Sequence, residues 1–146
     1  MGLFQAFDIS ASGMTAERFR MDTIAQNIAN INSTQAEDGT RYRRKIVTFA
    51  EKTETPFSQY YETARARVVG NGVKVTSVKE DDETEMRMVY DPSHPDADEN
   101  GYVTYPNVNT VTEMTNLIDA TRAYEANTTA FDATKSMVQA ALNISK

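Results

Sequence analysis

The sequence predicts an α+β fold, with long N- and C-terminal helices pairing as a coiled-coil layer and a small β region inserted between them. Three observations carry that expectation. Large apolar residues recur every seven positions near both ends: Phe7, Met14, Met21 and Ile28, then Leu117, Tyr124, Phe131 and Val138. Proline is absent before Pro56 and again after Pro106, so it breaks neither run. Between the runs lie short segments of alternating polarity, bounded by turn dipeptides, which is the pattern of strands.

Residues 4–32 form the first predicted helix. Ile24 and Ile31 lie three positions beyond Met21 and Ile28, so the seam is well formed from Met14 to Ile31; before it, Ser10 and Glu17 hold the equivalent places. Gly13 costs a helix about 1 kcal/mol relative to Ala, so its presence implies a neighbour packed close. Strands are expected at 41–49, 73–78, 86–90 and 102–105, separated by Gly70-Asn71-Gly72, Asp91-Pro92 and Asn100-Gly101. Residues 51–67 are polar and weakly patterned and read as a flexible loop, while the acidic run Glu80–Glu83 reads as a solvated turn.

The second predicted helix covers 110–144, about 50 Å at 1.5 Å per residue. Thr110-Val-Thr-Glu113 reads as a capping box at its start. Ala120, Asn127, Thr134 and Ala141 follow each large seam residue by three and are small or polar. The expected organisation is therefore a helix over 1–32, a β-rich middle over 33–109, and a helix over 110–146 that packs with the first. Met114, Tyr124, Phe131 and Met137 spread apolar surface over more than one stripe, which calls for contacts on several sides.

Composition narrows the function. The 146 residues carry 15 Lys and Arg against 21 Asp and Glu, a net charge of −6. A chain of that sign is repelled by nucleic acid, so no nucleic-acid partner is expected. There is no Cys, which excludes disulfides, thiolate metal sites and Cys nucleophiles. The single His, His94, excludes a His dyad within one chain. No apolar run approaches the ~18 residues of a membrane span. Met1–Phe7 holds no basic residue, unlike a cleaved secretory leader, and Ala6 stands where myristoylation wants Ser or Thr.

Few constellations carry chemistry. Asp96-Ala-Asp98-Glu-Asn100-Gly101 matches the first half of a calcium-binding EF-hand loop, but Asn107 stands where the twelfth-position Glu belongs, and Pro92 and Pro95 precede it. The competing reading is a turn whose Asp and Asn side chains hold their own backbone. His94 beside Asp91, Ser93 and Asp96 is read as a structural hydrogen-bonding group rather than a metal ligand or triad. Arg41, Tyr42, Arg43, Arg44 and Lys45 form a basic cluster; on a strand, Arg41, Arg43 and Lys45 share one face and Tyr42, Arg44 and Ile46 the other. It reads as a solvated face or as a contact with an acidic neighbouring subunit. No catalytic, cofactor-binding or metal residue is assigned, and neither a cofactor nor a small-molecule substrate is expected.

Ala11-Ser-Gly-Met-Thr-Ala16, followed by Asn27-Ile-Ala-Asn-Ile-Asn32, resembles the N-terminal signature of the flagellar rod and hook axial proteins. Asn27, Asn30 and Asn32 mark the helix end, where Asn caps the last carbonyls or accepts a left-handed conformation. Tyr90–Asp98, Gly101-Tyr-Val, Tyr105–Asn109, Arg122–Asn127 and Lys135-Ser-Met137 with Leu142 narrow the likeness to the proximal-rod branch of that family. The resemblance covers nearly the whole chain, with 51–67 matching least.

The resemblance implies a non-enzymatic structural subunit of the flagellar basal-body rod, polymerising helically into a drive shaft. It implies export through the flagellar type III apparatus without a cleaved leader, and residence in the periplasm. Implied partners are other copies of the chain, the other proximal and distal rod proteins, and the rod–inner-membrane-ring junction protein. Another axial subunit of the family, or a calcium module built on 96–101, are the alternatives. The residues expected to carry subunit contacts are Met14, Met21, Ile24, Ile28, Ile31, Leu117, Tyr124, Phe131 and Val138.

Overall fold

The computed structural model describes residues 3–35, 40–52 and 70–144; most of the loop expected at 51–67 lies outside the described residues. The fold is α+β. In chain order the elements are α1 (Leu3–Ala29), β1 (Lys45–Glu51), β2 (Val73–Glu80), β3 (Arg87–Tyr90), β4 (Tyr102–Tyr105) and α2 (Thr110–Ile144). β1 pairs with β2, and β3 pairs with β4 antiparallel, Arg87 opposite Tyr105 and Tyr90 opposite Tyr102. Among the described residues no helix is long and apolar enough to cross a membrane.

The end of the first helix, the start of the first strand and the cap of α2 differ from expectation, each for a hydrogen-bonding reason; α2 itself spans the expected 110–144. Helix α1 stops at Ala29 and closes in a turn over 30–32, where the Asn30 side chain donates to the Gln26 carbonyl at 2.8 Å. Strand β1 begins at Lys45 rather than 41, because the Arg44 N–H is drawn off to Asn107 Oδ1 at 2.8 Å instead of to a neighbouring strand. The cap of α2 is Asn109, not Thr110: its Oδ1 accepts from Val111 N–H at 2.9 Å and Thr112 N–H at 3.2 Å. Glu113 is therefore released from the expected capping box and turns inward.

The chain folds as two compact units, each drawing on both helices. The first comprises 1–19, 48–77 and 120–146. Here α1 and α2 run antiparallel: Phe7 meets Phe131 edge-on with ring centroids 4.8 Å apart, and Thr128 Oγ1 donates to Met14 Sδ at 3.4 Å. Gly13 lies directly under Asn127; a Cβ there would stand 2.7 Å from Asn127 Oδ1. The neighbour that glycine implies is thus a polar side chain on the partner helix. Ser12 Oγ accepts from Val73 N–H at 3.1 Å, pinning the start of β2, and Gly72 reaches that place at φ +94°.

The second unit comprises 20–47 and 78–119. Its apolar core is small, with Ile24, Val103 and Val108 buried. Around it sits an unusual weight of buried polar groups: Thr23, Asn27, Asp81, Asn107 and Glu113. Elsewhere on the helices the closest packing falls on small residues, Ala16 and Ala120, whose side chains let backbones approach.

Candidate functional site

Asn27 is completely buried and satisfies all four hydrogen bonds that its carboxamide can make. Nδ2 donates to the Lys45 carbonyl and to Glu113 Oε2, and Oδ1 accepts from the Lys45 N–H and the Tyr42 hydroxyl, each at 2.9 Å. The side chain thus pairs with the Lys45 peptide as a neighbouring strand would, while tying α1 to the first turn of α2. It lies two residues inside the end of the helix, so it serves as a tie, whereas Asn30 serves the helix end and Asn32 stands exposed in the turn.

Glu113 is the second centre. Its carboxylate, 1 % exposed, takes Asn27 on one oxygen and the Arg44 guanidinium on the other, with Nε and Nη2 both at 2.8 Å. Arg44 also reaches Asp81 Oδ2 at 3.5 Å. A buried carboxylate survives only when paired and hydrogen-bonded in this way. Asn107 completes the ring: Oδ1 takes the Arg44 N–H, and Nδ2 donates to the carbonyls of Asp81 at 2.8 Å and Thr84 at 3.2 Å. The network is a clasp joining the end of α1, the start of β1, the 81–84 turn and the start of α2.

Two ionisations register it. Asp81 accepts from the N–H and the hydroxyl of Thr84, which together with Arg44 hold its carboxyl below the usual range against the opposing effect of burial. Burial, with the charges of Glu113 and Glu80 behind it, pushes the Tyr42 phenol up. These facts correct two expectations. The acidic run is not wholly solvated, because Asp81 is buried. The basic cluster is neither a plain solvated face nor wholly free for a neighbour, because Arg44 is used internally.

The 91–101 loop is built from its own backbone. Asp98 Oδ1 accepts from the N–H groups of Asn100 and Tyr102 at 2.9 and 2.8 Å, Asp91 Oδ1 accepts from Ser93, and Gly101 turns the chain at φ +79°. Ser93 also holds the Asp91 carboxyl below its ordinary range. His94 Nδ1 accepts the Asp96 N–H at 3.1 Å, and Asp96 Oδ2 accepts the Thr34 hydroxyl at 2.7 Å. One oxygen each of Asp91, Asp96 and Asp98 is thus committed to protein donors. Among the described residues no three His, Asp or Glu side chains converge on a metal position.

Of the expected seam residues, Ile24 is buried, and Met14, Met21, Ile28, Ile31, Leu117, Tyr124, Phe131 and Val138 are half-buried. The most enclosed line of α2 is instead Glu113, Ala120 and Thr134, on a seven-residue spacing. Large apolar side chains remain open on both helices: Phe4, Phe19, Val111, Met114, Ile118, Met137 and Leu142. Sequence reasoning missed Tyr42, Arg44, Asp81, Asn107 and Glu113. One signal was available, since Glu113 lies one heptad before Ala120 and so on the small-residue stripe, where a charge needs an internal partner.

The comparisons with known proteins agree from end to end. The model of the flagella basal body rod protein family matches residues 7–35, and that of the flagellar basal body rod FlgEFG protein C-terminal region matches residues 99–144. The chain is similar to proteins named flagellar basal-body rod protein FlgC. It is 43 % identical to that of Bacillus subtilis over all of both chains. Against that of Borreliella burgdorferi it is 41 % identical over 99 % of this chain and 98 % of the relative. Against that of Salmonella typhimurium the identity is 39 % over the same shares.

Proposed function

This chain belongs to the FlgC family of flagellar basal-body rod proteins, and we propose that it does its work through surfaces rather than through a chemical site. It is a structural subunit of the bacterial flagellar rod. One observation carries the account of how it acts: both helices keep large apolar side chains exposed, Phe4 and Phe19 on α1 and, on α2, Met114 and Ile118 each 53 % exposed and Met137 64 %. Covering a leucine-sized side chain contributes roughly 1.5–3 kcal/mol, so neighbours that cover these side chains on several sides hold the subunit in place. A head-to-tail contact of this kind propagates as an open helix without closing, and torque passes through many parallel interfaces.

The neighbours are other copies of the chain and the other proximal and distal rod proteins, with the junction protein of the inner-membrane ring at one end. The subunit reaches the periplasm through the flagellar type III apparatus. Its uncovered helix ends favour that passage, because termini with few apolar contacts unfold locally at low cost.

The test uses exposed positions. Ile24 is buried and Phe131 packs on Phe7, so charge at either disturbs the subunit itself. Met114→Asp and Ile118→Asp place charge on open surface. The expected result is a purified subunit with unchanged circular dichroism and thermal midpoint, together with loss of rods and of swimming. Normal basal bodies and motility in the Met114→Asp/Ile118→Asp strain would refute the reading.

A further inference from the structure

The seams that pair the helices are repetitive, and repetition leaves register ambiguous. Sliding α2 by one heptad exchanges Leu117, Tyr124, Phe131 and Val138 for one another against Phe7, Met14, Met21 and Ile28, so one apolar contact replaces another. Polar groups do not slide so freely. Asn27 and Glu113 are linked at 2.9 Å, and Gly13 lies under Asn127 two heptads away along each helix. A slip of seven would carry Glu113 away from the buried Asn27 amide and from the Arg44 guanidinium, leaving both without the carboxylate that they now share.

We propose that the Asn27–Glu113 link, braced by Arg44 and Asn107, is a register lock: it selects one antiparallel alignment of α1 and α2 among alignments that the apolar seam alone does not distinguish. The apolar seams supply attraction, and the buried polar pair supplies uniqueness, as a single buried polar residue does in a coiled coil. Arg44 and Asn107 are positioning residues here. Arg44 holds the Glu113 carboxylate, and Asn107 holds the Arg44 backbone.

The absence of Cys lets the register be read directly in the full-length chain. Met14→Cys with Thr128→Cys reports the native alignment, because these two side chains touch. Met14→Cys with Thr121→Cys, or with Lys135→Cys, reports a slip of one heptad either way. Each pair is oxidised and the disulfide mapped by peptide mass.

In the otherwise native chain, only the 14–128 pair is expected to close. Asn27→Leu/Glu113→Leu replaces both partners by apolar groups and so keeps the helices attracted. In that background a slipped pair, 14–121 or 14–135, is expected to rise from a trace to a major product at unchanged helix content. Glu113→Ala, which repeats the residue already buried at Ala120, should do the same and is read alone if the double variant fails to fold. Closure of 14–128 alone in a folded variant, or slipped products in the otherwise native chain, overturns the proposal.

Discussion

Asn27→Asp changes almost no volume and inverts one hydrogen-bonding atom, which makes it the sharpest probe of the clasp. The oxygen that keeps the place of Oδ1 still accepts from Tyr42 and Lys45. The oxygen that replaces Nδ2 faces the Lys45 carbonyl and Glu113 Oε2, both now 2.9 Å from the donor that it displaces. Two like charges about 4 Å apart repel by about 4 kcal/mol at an effective dielectric of 20. The Lys45 carbonyl, left without a donor, adds about 1–3 kcal/mol. Attraction to Arg44 offsets part of this, so the expected loss is about 3–5 kcal/mol at pH 7. Urea unfolding of the full chain, followed by circular dichroism, measures it. Adding Glu113→Gln exchanges donor and acceptor across the same contact: the new amide donates to Asp while its oxygen still faces Arg44. About half the loss should return. A stability within about 0.5 kcal/mol of the parent for Asn27→Asp, or a double variant no more stable than the single one, would refute the reasoning.

Gly13→Ala has a sign that depends on its neighbour. In the parent chain the new methyl strikes Asn127, and crowding of about 1–3 kcal/mol outweighs the ~1 kcal/mol gain in helix propensity; in an Asn127→Ala background the same change should stabilise by about 1 kcal/mol, as thermal unfolding will show. Gly101→Ala must hold φ +79° with its Cβ 3.0 Å from the Tyr90 ring, so a loss of about 1–2 kcal/mol is expected in the same assay. Asp81 titrates below its ordinary 3.8 when folded, so the stability it contributes is complete above that value and fades as pH falls through the lower folded value. Asp81→Asn should flatten the acid limb of the stability–pH curve there and leave its slope near neutrality unchanged.

The rod role proposed here and the clasp are separable. Charge on Met114 and Ile118 strikes open surface and should block assembly without unfolding the subunit, whereas Asn27→Asp strikes the subunit first and assembly only as a consequence. Comparing soluble-subunit stability with rod yield across the two sets distinguishes surface function from internal order.

The sequence by itself determined the helices, the strands and the family signature, because each rests on a local period. A seven-residue repeat needs only its own turns to form a stripe, and Gly101 acts on the peptide next to it. It also located Gly13 as a place of close approach. What the sequence did not determine is which stripe lies deepest and what the charges do. Glu113, Arg44, Asp81 and Asn107 lie on four separate stretches of chain, and each alone reads as an ordinary polar surface residue. Only the folded chain brings them within hydrogen-bonding distance, and burial then turns them from solvated charges into mutual partners. Tertiary structure also decided that small side chains take the innermost line, since backbones approach closely only where little projects between them. The larger seam residues are thereby pushed outward, toward the surface.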